Sequence, residues 1–143
     1  MNIAFYLLPK DEVKFLNPEA TMRQALEKLS YHKYTSVPLV TENGKYVGTL
    51  TEGDLLWKLK EALDISYDSV MKTKLKDIPQ RANNLSVSIN SNMEDLITLA
   101  TDQNFIPVTD DNGYFIGIIR RRDIIKYCAN MIWKKDAATE GKG

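Results

Sequence analysis

Apolar and polar positions recur with two different periods along this chain, and the same succession of periods occurs twice. Val13 and Phe15 alternate with polar neighbours, which predicts a short strand ahead of the turn Asn17-Pro18-Glu19. Met22, Ala25, Leu26 and Leu29 then fall at i, i+3, i+4 and i+7, one face of a helix. Thr21 and Gln24 have capping-box spacing in front of it, and its end is expected between Tyr31 and Tyr34. Val37 to Val40 and Tyr46 to Leu50 read as two strands joined at Asn43-Gly44, a dipeptide suited to a tight hairpin. Thr51 is placed to cap a second helix, with Leu55, Leu56, Leu59 and Leu63 expected to face inward.

The second half repeats this order. Its elements are a strand through Leu85, Val87 and Ile89, a helix from Ser91 with Glu94 completing a capping box, a hairpin at Asn112-Gly113, and a last helix from Arg121. Pro38, Gly44, Gly48 and Asp54 correspond to Pro107, Gly113, Gly117 and Asp123 at a constant offset of 69. Upstream, Met22 corresponds to Met93 at an offset of 71, so the loop before Pro107 is two residues shorter and the two clefts are expected to be similar but not identical. The predicted organisation is an N-terminal arm with repeat 1 over 1–63, a connector over 64–81, the core of repeat 2 over 82–133, and a flexible charged tail over 134–143. Strand-helix-strand-strand-helix, used twice, makes this an α/β chain. With 143 residues, 43% of them hydrophobic, the two halves are expected to share one core rather than to fold alone.

Composition narrows the function. Nineteen basic residues balance nineteen acidic ones, so no long-range field recruits nucleic acid or an anionic membrane non-specifically. The lone Cys128 excludes an intramolecular disulfide framework and reads as a small packing residue, consistent with a cytoplasmic setting. The apolar opening through Leu8 lacks a basic flank and stops at Pro9-Lys10, too short for a signal peptide or a span, and reads as a docking arm. One Cys and one His cannot assemble a metal cluster or a nucleophilic triad, so no metal and no catalytic residues are assigned. His32 has no assigned role, and Trp57 and Trp133 read as packing or dimer residues.

Candidate chemistry sits after each hairpin, where a strand delivers Thr51-Glu52-Gly53-Asp54 to a helix start. Backbone N–H groups there attract anions, and a hydroxyl with a carboxylate one turn later can bind a sugar. Thr51 and Asp54 can equally form a simple helix cap. The acid returns as Asp123 while Arg120 replaces the threonine, which simple capping does not explain in both copies. Arg120, Arg121 and Arg122 place three cations where a helix begins, against its dipole, a strain that an anion would relieve; a solvated face paired with Asp110 and Asp111 is the alternative.

Gly48-Thr49-Leu50-Thr51-Glu52-Gly53-Asp54 after Thr35-Ser36-Val37-Pro38, repeated in register, resembles a tandem of CBS motifs across Val13 to Tyr127. The resemblance implies one Bateman module built from two pseudo-symmetric CBS repeats, without catalysis and usually homodimeric. It also implies an adenosine derivative bound between the repeats. By the same resemblance, Asp54 holds ribose hydroxyls, Thr51 lies near ribose or phosphate, and Ser36 with Val37 flanks adenine. In the second cleft the matching residues are Asp123, Arg120, and Phe105 with Ile106. Small CBS proteins of Gram-positive bacteria that bind cyclic di-AMP are similar, including paired arginines where this chain has Arg121 and Arg122. AMP, ADP, ATP and S-adenosylmethionine are further ligands of the wider family. The expected role is a nucleotide sensor that signals to an effector protein by conformational change, without a covalent cofactor. The alternatives are an interaction module with degenerate clefts, a small enzyme pairing Asp54 with Asp123, and an ACT-like regulator, whose strand order fits poorly.

Overall fold

The computed structural model of the chain describes residues 2–80 and 84–140. Its elements run β1 (Leu8–Pro9), α1 (Met22–His32), β2 (Ser36–Val40), β3 (Tyr46–Thr51), α2 (Glu52–Lys60), α3 (Tyr67–Met71), β4 (Val87–Ser88), α4 (Met93–Ala100), β5 (Phe105–Thr109), β6 (Phe115–Arg120) and α5 (Arg121–Glu140). Thr21 caps α1 through the expected box with Gln24, and Lys33 closes the helix in the left-handed conformation at φ 57°. Both hairpins turn on glycines at positive φ, Gly44 at 95° and Gly113 at 86°, where a side chain would be strained. β2 pairs with β3 and β5 with β6, each ladder shifting register at the equivalent place, between Leu39 and Val40 and between Val108 and Thr109.

The periodicity misplaced several details. Val13 and Phe15 do share one packed side, but the chain leaves a tight turn over Lys10–Glu12 and makes only one bridge, Leu16 parallel to Leu39. In repeat 2 the strand shortens to Val87–Ser88 and Leu85 is exposed. The cap of α4 is Asn92, whose N–H donates to Asp95 Oδ2 at 3.2 Å; Glu94 instead accepts from the Tyr127 hydroxyl, which is pushed up to about 12 by that carboxylate. Of the four leucines expected to face inward, Leu55 is buried and Leu59 partly so, whereas Leu56, and Leu63 beyond the end of α2, stay 67% and 84% exposed. α5 continues to Glu140, so 134–140 extend the final helix where a tail was expected.

The two preceding segments are exchanged between the repeats. Ile3, at 0% exposure, lies in the repeat 2 core with Met93, Leu96, Ile106 and Ile119, and Tyr6 and Leu7 pack on the same cluster. Val70, Met71, Leu75 and Ile78 of the connector fill the repeat 1 core beside Met22, Leu50 and Leu55. The arm therefore packs in the repeat 2 core and the connector in the repeat 1 core. Backbone bridges repeat the exchange: Asn2 pairs with Asn92, and Thr21 with Lys74. Lys74 and Lys76 also grip Glu19 at 2.8 and 2.9 Å, and the two ammonium groups hold its carboxyl down at about 2.

A pseudo-two-fold relation joins the halves. Tyr46 N donates to Gly113 O at 3.2 Å and Phe115 N to Gly44 O at 2.9 Å, an exchange between residues separated by the sequence offset. Phe115 also packs on Tyr46 and Phe15 with ring centroids 6.3 and 6.0 Å apart, in a third cluster that both repeats share. Each half thus needs the other to bury its hairpin and its preceding segment.

Candidate functional site

The hairpin registers assemble the predicted site residues pairwise. Ser36 lies opposite Thr51 and Val37 opposite Leu50; Phe105 lies opposite Arg120 and Ile106 opposite Ile119. Each β-strand end passes directly into a helix, placing Asp54 and Asp123 one turn inside α2 and α5. Both acids are almost wholly buried, at 2% and 7% exposure. A buried carboxylate one turn from a strand end requires partners, and each repeat supplies them differently.

In repeat 1, Thr51 N donates to Asp54 Oδ2 at 3.0 Å while Asp54 N donates to Thr51 Oγ1 at 3.2 Å, a reciprocal cap. In repeat 2, Arg120 grips Asp123 with two bonds, Nε to Oδ2 at 2.8 Å and Nη2 to Oδ1 at 3.2 Å. So the threonine does cap, and the arginine has taken over its acid. The helix starts are also less open to anions than their sequence suggests, because Glu52 N already donates to Thr35 O and Arg121 N to Asn104 O. Thr35 and Asn104 meet in turn, Asn104 Nδ2 donating to Thr35 Oγ1 at 3.0 Å, so the two candidate clefts flank one contact across the repeats.

The three arginines go to different places. Arg121 donates through Nε to Ala100 O at 2.9 Å, satisfying the carbonyl at the end of α4, and lines the groove between α4 and α5. Arg122 is exposed. The anticipated cluster of three cations at one anion is therefore not brought together. Asp110 Oδ1 accepts from Asn112 N and Tyr114 N within its own turn, while Arg120 pairs with Asp123 and Arg121 with a carbonyl. His32 stacks on Tyr34 with centroids 5.1 Å apart, a packing arrangement.

Sequence order concealed two contributors. Trp57, Lys58, Glu61 and Pro79 surround Asp54, so the connector completes the repeat 1 site. The space there is about 30 Å3. Trp57 sits three residues after Asp54, the spacing that puts both on one helical face; that spacing was the available signal. At repeat 2, β1 lies along β6 at Gly117 and Ile118, bringing the arm to the equivalent edge. Larger concavities occur elsewhere, a groove of about 780 Å3 between α1 and α2 and its counterpart of about 570 Å3 between α4 and α5. Among the described residues no group of His, Cys, Asp or Glu is placed to hold a metal, and no helix is long and apolar enough to cross a membrane.

The CBS domain profile matches this chain twice, over residues 7–61 and 75–130. The chain belongs to the CBS domain family. A CBS domain-containing protein of Arabidopsis thaliana, chloroplastic CBSX1, is 26% identical over 144 residues, a match that takes in 85% of this chain and 61% of the relative. The chain thus spans about three fifths of the length of the curated relatives it matches first. Among solved structures, CbpB in complex with c-di-AMP superposes with a TM-score of 0.81 at 19% identity, covering 96% of this chain and 91% of that one. CBSX2 in complex with AMP superposes with a TM-score of 0.73 at 24% identity, covering 91% and 97%. Two CBS repeats forming one Bateman module, the α/β arrangement expected from the duplicated pattern, is therefore the fold.

Proposed function

We propose that this protein is a regulatory module that binds an adenine nucleotide, AMP, ADP, ATP or cyclic di-AMP, and passes its occupancy to a partner protein. The observation that carries the reading is the buried acid placed twice at a strand-to-helix turn of a tandem CBS protein. The ligands held by CbpB and CBSX2 support the choice of nucleotide. Asp54 and Asp123 accept ribose hydroxyls, Thr51 and Arg120 lie towards the phosphate, and Ser36-Val37 and Phe105-Ile106 border the base. No reaction is assigned to the acids, which act as acceptors. A ligand touching residues from both repeats stabilises the relative orientation in which it makes more contacts, and that difference in affinity limits the switch.

Asp54→Ala is expected to weaken nucleotide binding at its cleft by about 1.5–3 kcal/mol through lost hydrogen bonds. Calorimetric titration of AMP, ATP and cyclic di-AMP checks this. A wild-type protein that gives neither heat nor a melting shift with any of them at millimolar concentration sinks the nucleotide reading in favour of a ligand-degenerate interaction module. Asp54→Asn is the companion variant, since losing the cap alone costs about 0.5–2 kcal/mol of stability.

The same reading includes a homodimer. Among the exposed apolar residues, Leu56 lines the α1–α2 groove and Ile125 and Ile132 line the α4–α5 groove, whereas Leu55 and Ile124 are buried inside the chain. A second copy covering both grooves accounts for this exposure. Light scattering at tens of micromolar is expected to give twice the chain mass, falling to one chain mass in Leu56→Asp/Ile125→Asp; a monomeric wild type removes the dimer.

A further inference from the structure

The repeats differ at one position of the helix-start pair, Thr51 against Arg120, and the difference changes what the second acid can do. Both oxygens of Asp123 are engaged by one guanidinium at 2.8 and 3.2 Å. The side chains are unequally exposed, 9% for Asp123 and 34% for Arg120, so the acid is fixed inside while its cation borders solvent. We propose that Arg120 latches the repeat 2 cleft and makes a phosphate the condition for a nucleoside to bind there. This inference rests on the nucleotide reading above.

The argument is one of matched exchange. A ribose diol is neutral, so its hydrogen bonds to a carboxylate carry charge on one side only and compete with a bidentate pair in which both partners are charged. Displacing the guanidinium with a diol would also leave a buried carboxylate without its counter-ion. A phosphate alters the exchange, because the guanidinium leaves one oxyanion for another of similar fork geometry. Asp123 is then released to accept the ribose hydroxyls, and the new guanidinium–phosphate pair offsets the loss of the ion pair, a gain that a nucleoside cannot supply. The more exposed arginine moves and the acid stays. Adenosine alone offers no such replacement, so this cleft distinguishes nucleotide from nucleoside by the latch itself.

Arg120→Thr tests this, since threonine recreates the Thr51–Asp54 pairing and so preserves the helix start. Amide chemical-shift titration with adenosine and with AMP reads the clefts separately, through Ile119 and Ile124 for repeat 2 and through Leu50 and Leu55 for repeat 1. In the wild type, AMP is expected to bind the repeat 2 cleft more than about tenfold tighter than adenosine. In Arg120→Thr, adenosine affinity there should rise about tenfold while that of AMP does not, collapsing the ratio. Unchanged adenosine affinity in the variant overturns the latch. AMP responses confined to Leu50 and Leu55 in both proteins also overturn it while leaving the nucleotide reading in place. No response at either cleft to AMP, ATP or cyclic di-AMP overturns both.

Discussion

Ile3→Ala is expected to destabilise the whole protein by about 2–5 kcal/mol, the range for truncating a buried aliphatic side chain. Ile3 has no exposed surface and packs among Met93, Leu96 and Ile106, so its removal leaves a cavity in the centre of repeat 2. The arm cannot simply collapse into that space, because Asn2 is bridged to Asn92 and Leu8–Pro9 is paired to β6. Urea unfolding followed by fluorescence measures the loss, with Phe5→Ala as the control. Phe5 is exposed and two residues away, so its truncation should change stability by less than about 0.5 kcal/mol. Equal effects at Ile3 and Phe5 would mean that the arm is not docked in the repeat 2 core.

Gly117→Ala is expected to cost about 1–3 kcal/mol, and Gly48→Ala clearly less, although the two glycines are equivalent. Their φ angles, 157° and 156°, are the same, so backbone strain cancels in the comparison and only the neighbours differ. A Cβ at Gly117 would sit 2.2 Å from Leu8 O, a backbone atom held in the β1–β6 pairing. A Cβ at Gly48 would sit 2.3 Å from Gln80 Nε2, the far end of a flexible side chain that can swing aside. Thermal unfolding of the two variants measures the difference, and Gly48→Ala/Gln80→Ala should recover part of the smaller loss. Equal losses in the two single variants would show that φ, not the arm's close approach, sets the penalty.

These predictions also mark where reading the chain one residue at a time succeeded. Helix α1, both hairpins and the strand ends that carry Asp54 and Asp123 were legible because their signals are local: a capping box within four residues, an Asn-Gly turn, and a short apolar run beside it. Leu56 and Leu63 were misassigned because apolar identity reports that a face wants cover, without saying whether this chain or another supplies it. The capping pair at α4 slipped by one residue because Ser91-Asn92-Met93-Glu94-Asp95 offers two overlapping boxes. Tyr127, 33 residues further on, engages Glu94 and leaves Asp95 for the cap.

The duplicated Pro-to-Asp frame, with its offset of 69, was enough to establish two related units, their order of elements and the pair of acids at their helix starts. Which segment completes each unit was settled in three dimensions, since Ile3 joins Met93 and Leu75 joins Leu50 through contacts that no periodicity encodes. The separate fates of Arg120, Arg121 and Arg122 were settled there too. Successive residues at a helix start point about 100° apart, so three adjacent arginines reach an acid, a carbonyl and solvent rather than one anion.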